Sequence, residues 1–185
     1  MNPSEKAEKE IFDILRQNPE EFNHAENTVD WLLKIKPDSD FILKISALSH
    51  DIERVIYGKD EKKYPSHREF KLVHCKRSSD IVKEILLKNN FDKEEIKRAE
   101  DIICNHEFGG NKEANLIKDT DSLANFQWCD EMFGKIGLDS LKETMKRMVE
   151  RMEKENKIFL GQVKFKNKEI DSIFKEIRTN LQEPD

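Results

Sequence analysis

The sequence predicts an all-α fold, and three observations predict it. Apolar residues recur at spacings of three and four along nearly the whole chain, the period of a helix with one buried face. Glycine (6) and proline (5) are scarce, which permits long uninterrupted helices. Capping signatures stand ahead of three periodic stretches: Ser66-x-x-Glu69, Asp92-x-x-Glu95 and Ser140-x-x-Glu143. In each, a side-chain oxygen can accept from an N–H that the helix leaves unpaired. No alternation is strong enough for a sheet. At 185 residues the expectation is a single domain over 1–185, a bundle of about seven or eight helices with a core of its own.

The elements follow in order. Residues 4–17 place Ala7, Ile11, Ile14 and Leu15 on one face. Residues 20–35 align His24, Thr28, Trp31 and Ile35. Residues 39–56 carry Ile45, Leu48 and Ile52, with His50-Asp51 embedded among them. Residues 57–65 (YGKDEKKYP) read as a loop. Residues 66–88 align Phe70, His74, Ser78, Ile81 and Ile85, and Asn89-Asn90 is the expected stop. Residues 92–107 carry Ala99, Ile102, Ile103 and His106, ended by Gly109-Gly110. Residues 113–134 carry Ile117, Asp121, Ala124 and Trp128. Residues 139–156 present Leu141, Met145, Met148 and Met152. Residues 157–165 (KIFLGQVKF) read as extended or irregular. A last helix over 167–181 carries Ile170, Ile173, Phe174, Ile177 and Leu181. The motif-bearing core spans about 20–130, with the helices of 139–181 expected to pack on it. The methionine stripe reads as core, since Met fills irregular gaps. The helix over 167–181 either packs on that stripe or forms a homodimer face.

Composition narrows the function classes. A net charge of −5 disfavours general nucleic-acid binding, which needs a basic surface. No apolar run approaches the roughly 18 residues of a membrane span, and the opening MNPSEKAEKE is charged rather than signal-like. The expected location is the cytoplasm. Cys75, Cys104 and Cys129 lack C-x-x-C spacing and read as reduced thiols. A thiolate zinc site from Cys75 beside His74, or Cys104 near His106, is disfavoured because neighbours at such offsets point to different helix faces.

Chemistry concentrates in one series. Of five histidines, four (His24, His50, His74 and His106) stand in order with Asp51 and Asp121, each on the apolar stripe of its own segment. Ionisable groups aimed into a core need partners, and a metal ion is the commonest partner for a His/Asp cluster. Six such positions exceed one tetrahedral site. They suit one octahedral ion with spare members, or two ions sharing a carboxylate. Two metals roughly 3.5–4 Å apart are a known device for hydrolysing phosphate esters.

The order His, His-Asp, His, His, Asp on a helical chain resembles the HD-domain superfamily of metal-dependent phosphohydrolases. The surroundings that carry the resemblance are HAENTVDWLL at His24, ALSHDIER at the dyad and DTDSLANF at Asp121, and it covers roughly residues 20–130. The two extra histidines make it similar to the binuclear branch, which includes hydrolases of dinucleoside polyphosphates and cyclic dinucleotides. The resemblance implies that His24, His50, Asp51 and Asp121 hold a first metal, that His74 and His106 hold a second, and that Asp51 bridges them. It also implies a water or hydroxide between the metals as nucleophile. The implied cofactor is one or two divalent transition ions (Fe, Mn, Co, Ni or Zn, with Mg as the harder alternative). The implied substrate is a small phosphorylated, nucleotide-like molecule. Where many members have His-Asp-x-x-Lys, this chain has Arg54, whose guanidinium can grip a phosphate bidentately. Glu53 is a candidate to orient water or protonate the leaving oxygen, against the plainer expectation of a solvated surface carboxylate.

Between Lys59 and Arg77 stand seven basic residues against three acidic ones, a local excess of +4. The expectation is a patch at the site mouth that draws in an anion, with Arg68 and Lys71 as its substrate-binding members. The alternative is an ordinary solvated face. His67 reads as a surface residue, and Tyr57 and Tyr64 as loop packing. Two other function classes stand beside the hydrolase: a catalytically silent metal-containing sensing module, and a helical protein whose histidines are merely buried.

Overall fold

The computed structural model describes residues 1–180, and Leu181 of the expected last helix lies outside them. Among the described residues the chain is helical throughout, with no strand. It divides into two compact units, residues 1–118 and residues 119 onward.

The first unit contains α1 (Pro3–Leu15), α2 (Pro19–Ile35), α3 (Phe41–Ser49), α4 (Glu53–Tyr57), α5 (His67–Lys88) and α6 (Lys93–Asn105). It also holds the opening turns of α7 (Lys112–Asn125), the helix that contains the boundary. Two helices start with the same device. Asn2 and Asn18 cap α1 and α2 by accepting from backbone N–H groups, and Pro3 and Pro19 take the first helical position, where no N–H is needed. Ser66 caps α5 through the Glu69 N–H at 3.2 Å. Asp92 and Glu95 complete a reciprocal box at α6. Asn89 ends α5, followed by Asn90 at φ +61°, in the left-handed region that Asn tolerates.

The expected continuous helix over 39–56 is broken. The α-ladder stops at Ser49 and resumes at Glu53. Between them the backbone tightens to i→i+3 bonds: Ile52 N–H to Ser49 O at 3.1 Å and Arg54 N–H to Asp51 O at 3.0 Å. His50 and Asp51 therefore occupy a corner rather than a helix interior. The loop over 57–65 contains a 3₁₀ turn at Glu61–Lys63. The core is built by α1, α2, α3, α5 and α6 from Ile11, Leu15, Ile45, Leu48, Leu86, Ile103 and their neighbours. Leu32, Leu43, Ala47, Ile102 and Ile117 form a second cluster.

The second unit contains the end of α7, a 3₁₀ turn at Phe126–Trp128, α8 (Cys129–Ile136), α9 (Leu138–Glu150), a 3₁₀ segment at Lys154–Gln162 and α10 (Lys168–Asn180). The expected helix over 113–134 is thus divided at Phe126–Trp128. Helix α9 begins before Ser140, because Gly137 at φ +76° supplies the reversal between α8 and α9. Ser140 lies inside the helix and caps nothing. Met152 lies beyond the end of α9 but is buried, 4% exposed. The segment expected to be extended over 157–165 is mostly 3₁₀-helical. Buried Asp119 holds its start, accepting from the Glu153 N–H at 3.1 Å and from Asn156 Nδ2 at 2.7 Å. Helix α10 packs on α9, and Phe126, Phe165 and Phe174 cluster with ring centroids 4.8–6.4 Å apart.

Candidate metal centre

Four helical segments of the first unit deliver the histidines. His24 comes from α2 and His74 from α5, while His50 and His106 occupy the C-cap positions of α3 and α6. All four imidazoles are buried, as is Asp51.

The two C-cap histidines share one local geometry. His50 Nδ1 lies 2.8 Å from Ala47 O, and His106 Nδ1 lies 2.8 Å from Ile103 O. Each ring thus donates Nδ1–H to a carbonyl at i−3 that the ending helix leaves available. That bond fixes the tautomer and puts the Nε2 lone pair on the inward side. His74 is held from the same end by a different partner, with Nδ1 2.9 Å from Glu53 Oε1. Phe70 stacks on the His74 ring at 5.6 Å. Glu53 is 0% exposed, so the expected solvated carboxylate is a buried partner of His74. The break at 50–52 restarts the helix at Glu53 and turns this side chain toward α5. The Glu53 N–H meets Ser78 Oγ at 3.4 Å.

Asp51 is the hub. Its Oδ1 lies 2.8 Å from His74 Nε2 and 3.5 Å from His106 Nε2. Its Oδ2 lies 3.6 Å from His50 Nε2 and 3.9 Å from His24 Nε2, and it pairs directly with the Arg54 guanidinium. One carboxylate oxygen therefore serves each pair of histidines. Burial alone would push the Asp51 carboxyl up. The Arg54 guanidinium, then His50 and His74, outweigh it and hold it well below the usual carboxylate range. His74 is pushed down by burial and raised more strongly by Asp51 and Glu53, reaching about 9. His106 is lowered, first by burial, which keeps it neutral and its lone pair available.

These residues fit a divalent cation. His74 Nε2 and His106 Nε2 stand 3.3 Å apart beside a carboxylate oxygen. Without an ion, a proton on His74 Nε2 fills that acceptor-rich point. The donor atoms form two groups, His24 with His50 and Asp51, and His74 with Cys75 and His106, each group within 4.8 Å. The inclusion of Cys75 runs against the sequence expectation that it faces away from His74.

Asp121 belongs to the second unit, where it is buried and accepts from Asn125 Nδ2 at 2.7 Å and from Arg151 at 3.3 Å. The basic patch is largely neutralised, by acids both inside and outside the window that defined it. Lys71 pairs with Glu107 at 2.6 Å and Lys59 with Glu21 at 3.2 Å. Arg77 reaches Asp60 at 3.3 Å and Glu53 at 3.6 Å, and lies over the Tyr57 ring. Arg68 is exposed. His67 is also exposed, at the start of α5, as expected. The sequence names Glu53 as a candidate but leads one to expect it in solvent, and it disfavours Cys75; neither carries a periodic signal.

No helix is long and apolar enough to cross a membrane among the described residues. The family described as Domain of unknown function (DUF4202) matches the chain over residues 2–171. No curated protein and no solved structure matches it.

Proposed function

The chain belongs to the DUF4202 family, and we propose that it is a metal-dependent phosphohydrolase cleaving a phosphate ester or anhydride of a small nucleotide-like substrate. The observation that carries this reading is the division of labour at Asp51, whose two oxygens face two separate histidine pairs. A carboxylate so placed is suited to bridging two cations, and the residue order resembles the binuclear HD pattern. Bound divalent ions supply Lewis acidity and make a nucleophilic water available near neutral pH.

The chain's own residues have distinct tasks. When ions are bound, His24, His50 and Asp51 would hold one position, and Asp51, His74 and His106 the other. Ala47 O, Ile103 O and Glu53 fix three of the imidazoles through Nδ1, which orients the donors and raises their basicity. Arg54 sits at the edge of the cluster with its side chain 21% exposed. A guanidinium there can leave Asp51 for an entering phosphate oxygen, where it offsets the charge that builds in phosphoryl transfer. Arg68 is an exposed cation of the patch that can guide an anion toward the site.

The test is a screen of mono-, di- and pyrophosphate esters with the protein loaded separately with iron, manganese, cobalt, nickel and zinc. Turnover is expected with at least one ion. Asp51→Asn should lower it by about 10²-fold or more while the helical content stays. Ligand-dependent stabilisation without product would move the reading to a metal-containing sensing module.

A further inference from the structure

The two donor groups are chemically unlike. His24, His50 and Asp51 offer only nitrogen and oxygen, whereas His74, Cys75 and His106 include a sulfur. The three side chains of the second group are 0%, 1% and 1% exposed. One donor atom from each lies within 4.8 Å of the other two. The imidazole nitrogens His74 Nε2 and His106 Nε2 stand 3.3 Å apart. Helices α5 and α6 pack closely along each other, so the group sits on a rigid frame rather than a loop.

A buried cysteine is ordinarily a small apolar filler. A filler has no reason to share a 4.8 Å group with two imidazoles whose Nδ1 atoms are already committed to Glu53 and Ile103.

We propose that Cys75 is a ligand to the ion held by His74 and His106, making this a thiolate position selective for a borderline or soft divalent ion such as zinc. The His24/His50/Asp51 position is then the harder, nitrogen-and-oxygen one, and the centre holds two unlike sites. The inference rests on the metal-binding reading above. Ligation exchanges the Sγ–H proton for the ion. That proton leaves to solvent, and no oxidant or reductant is involved.

Cobalt(II) tests this directly, because a thiolate ligand adds a sulfur-to-cobalt charge-transfer band in the near ultraviolet to the visible d–d bands. The full chain is stripped with chelator, kept reduced with a phosphine, and titrated with cobalt(II). The expected result is a charge-transfer band in the wild type. It should be lost in both Cys75→Ser and Cys75→Ala and kept in Cys104→Ser, with one class of cobalt bound more weakly in the Cys75 variants. Cobalt bound with d–d bands but no charge-transfer band in the wild type would overturn the role of Cys75 and leave the metal centre standing. So would a band that survives Cys75→Ala. No bound cobalt at all would overturn both. The wild-type spectrum decides the question even if a Cys75 variant fails to fold.

Discussion

Glu53 Oε1 lies 2.9 Å from His74 Nδ1, with both side chains fully buried. A carboxylate in that place orients the ring and strengthens its far nitrogen as a donor, a pairing whose loss typically weakens metal binding by 10–100-fold. Glu53→Ala should therefore weaken the weaker-bound equivalent of zinc by about that factor. Glu53→Gln, whose amide oxygen can still accept from Nδ1, should fall between. Competitive titration against a zinc chelator measures both. Equal affinities in all three proteins would remove Glu53 from the centre.

His74 makes the metal-free protein pH-sensitive. Its folded-state value of about 9 lies above the 6.5 of an unperturbed imidazole. The proton therefore favours the folded state. This stabilisation is complete below pH 6.5 and is lost as the pH rises through about 9. Chelated protein should melt at progressively lower temperature across that window. An ion at Nε2 displaces the proton, so loaded protein should lack this slope, and loading should release a proton and tighten as the pH rises. Melting curves at stepped pH, with and without zinc, read both effects.

Much of the fold is legible in the sequence. The apolar stripes at Ala7–Leu15, Phe70–Ile85 and Ala99–Ile103 are the faces that become core, and the starts at Ser66 and Asp92 follow from their capping side chains. The break at 50–52 is not legible. Ile45, Leu48 and Ile52 keep helical spacing across it, and no Gly or Pro marks it. Its cause is a hydrogen-bond choice, His50 Nδ1 taking Ala47 O while the backbone tightens. That one break explains why Glu53 reads as surface in the sequence and is buried in the structure. Cys75 is disfavoured for a related reason, since neighbour geometry on α5 says nothing of which residues of α6 come near it. The order of the four histidines and Asp51 was readable. Of their Nδ1 partners, Ala47 O and Ile103 O are local to the helix ends, whereas Glu53 reaches His74 through a tertiary contact between distant segments.

Arg98 ties three segments together. It meets Glu113 through two bonds at 2.9 and 2.6 Å, and Asp40, the cap of α3, at 2.8 Å. Burial pushes Asp40 up, but Arg98 and the Leu43 N–H outweigh it and hold its carboxyl below the usual range. The stabilisation is therefore present above pH 3.8 and is lost as the pH falls through the lower folded value. Because the group is about a third exposed, Arg98→Ala should cost about 1 kcal/mol at neutral pH. The difference from wild type should shrink in acid, as urea denaturation at pH 7 and pH 3 would show.

Leu86 is fully buried in the core of the first unit, on the same helix as His74 but three turns away. Leu86→Ala should destabilise by about 2–5 kcal/mol through lost burial and the cavity left behind. Metal stoichiometry should not change. Denaturant unfolding with parallel metal analysis separates this variant from Asp51→Asn, which should lose metal at a smaller cost to the metal-free fold.

On the proposed reading, the buried histidines and Asp51 hold metal. Elemental analysis of the full chain, purified without chelator or added metal, tests it most directly. About two equivalents of transition metal per chain is the predicted result, one for each side of Asp51. No metal, even after reconstitution with excess zinc, manganese or iron, would contradict it and leave a helical protein whose histidines serve only its core.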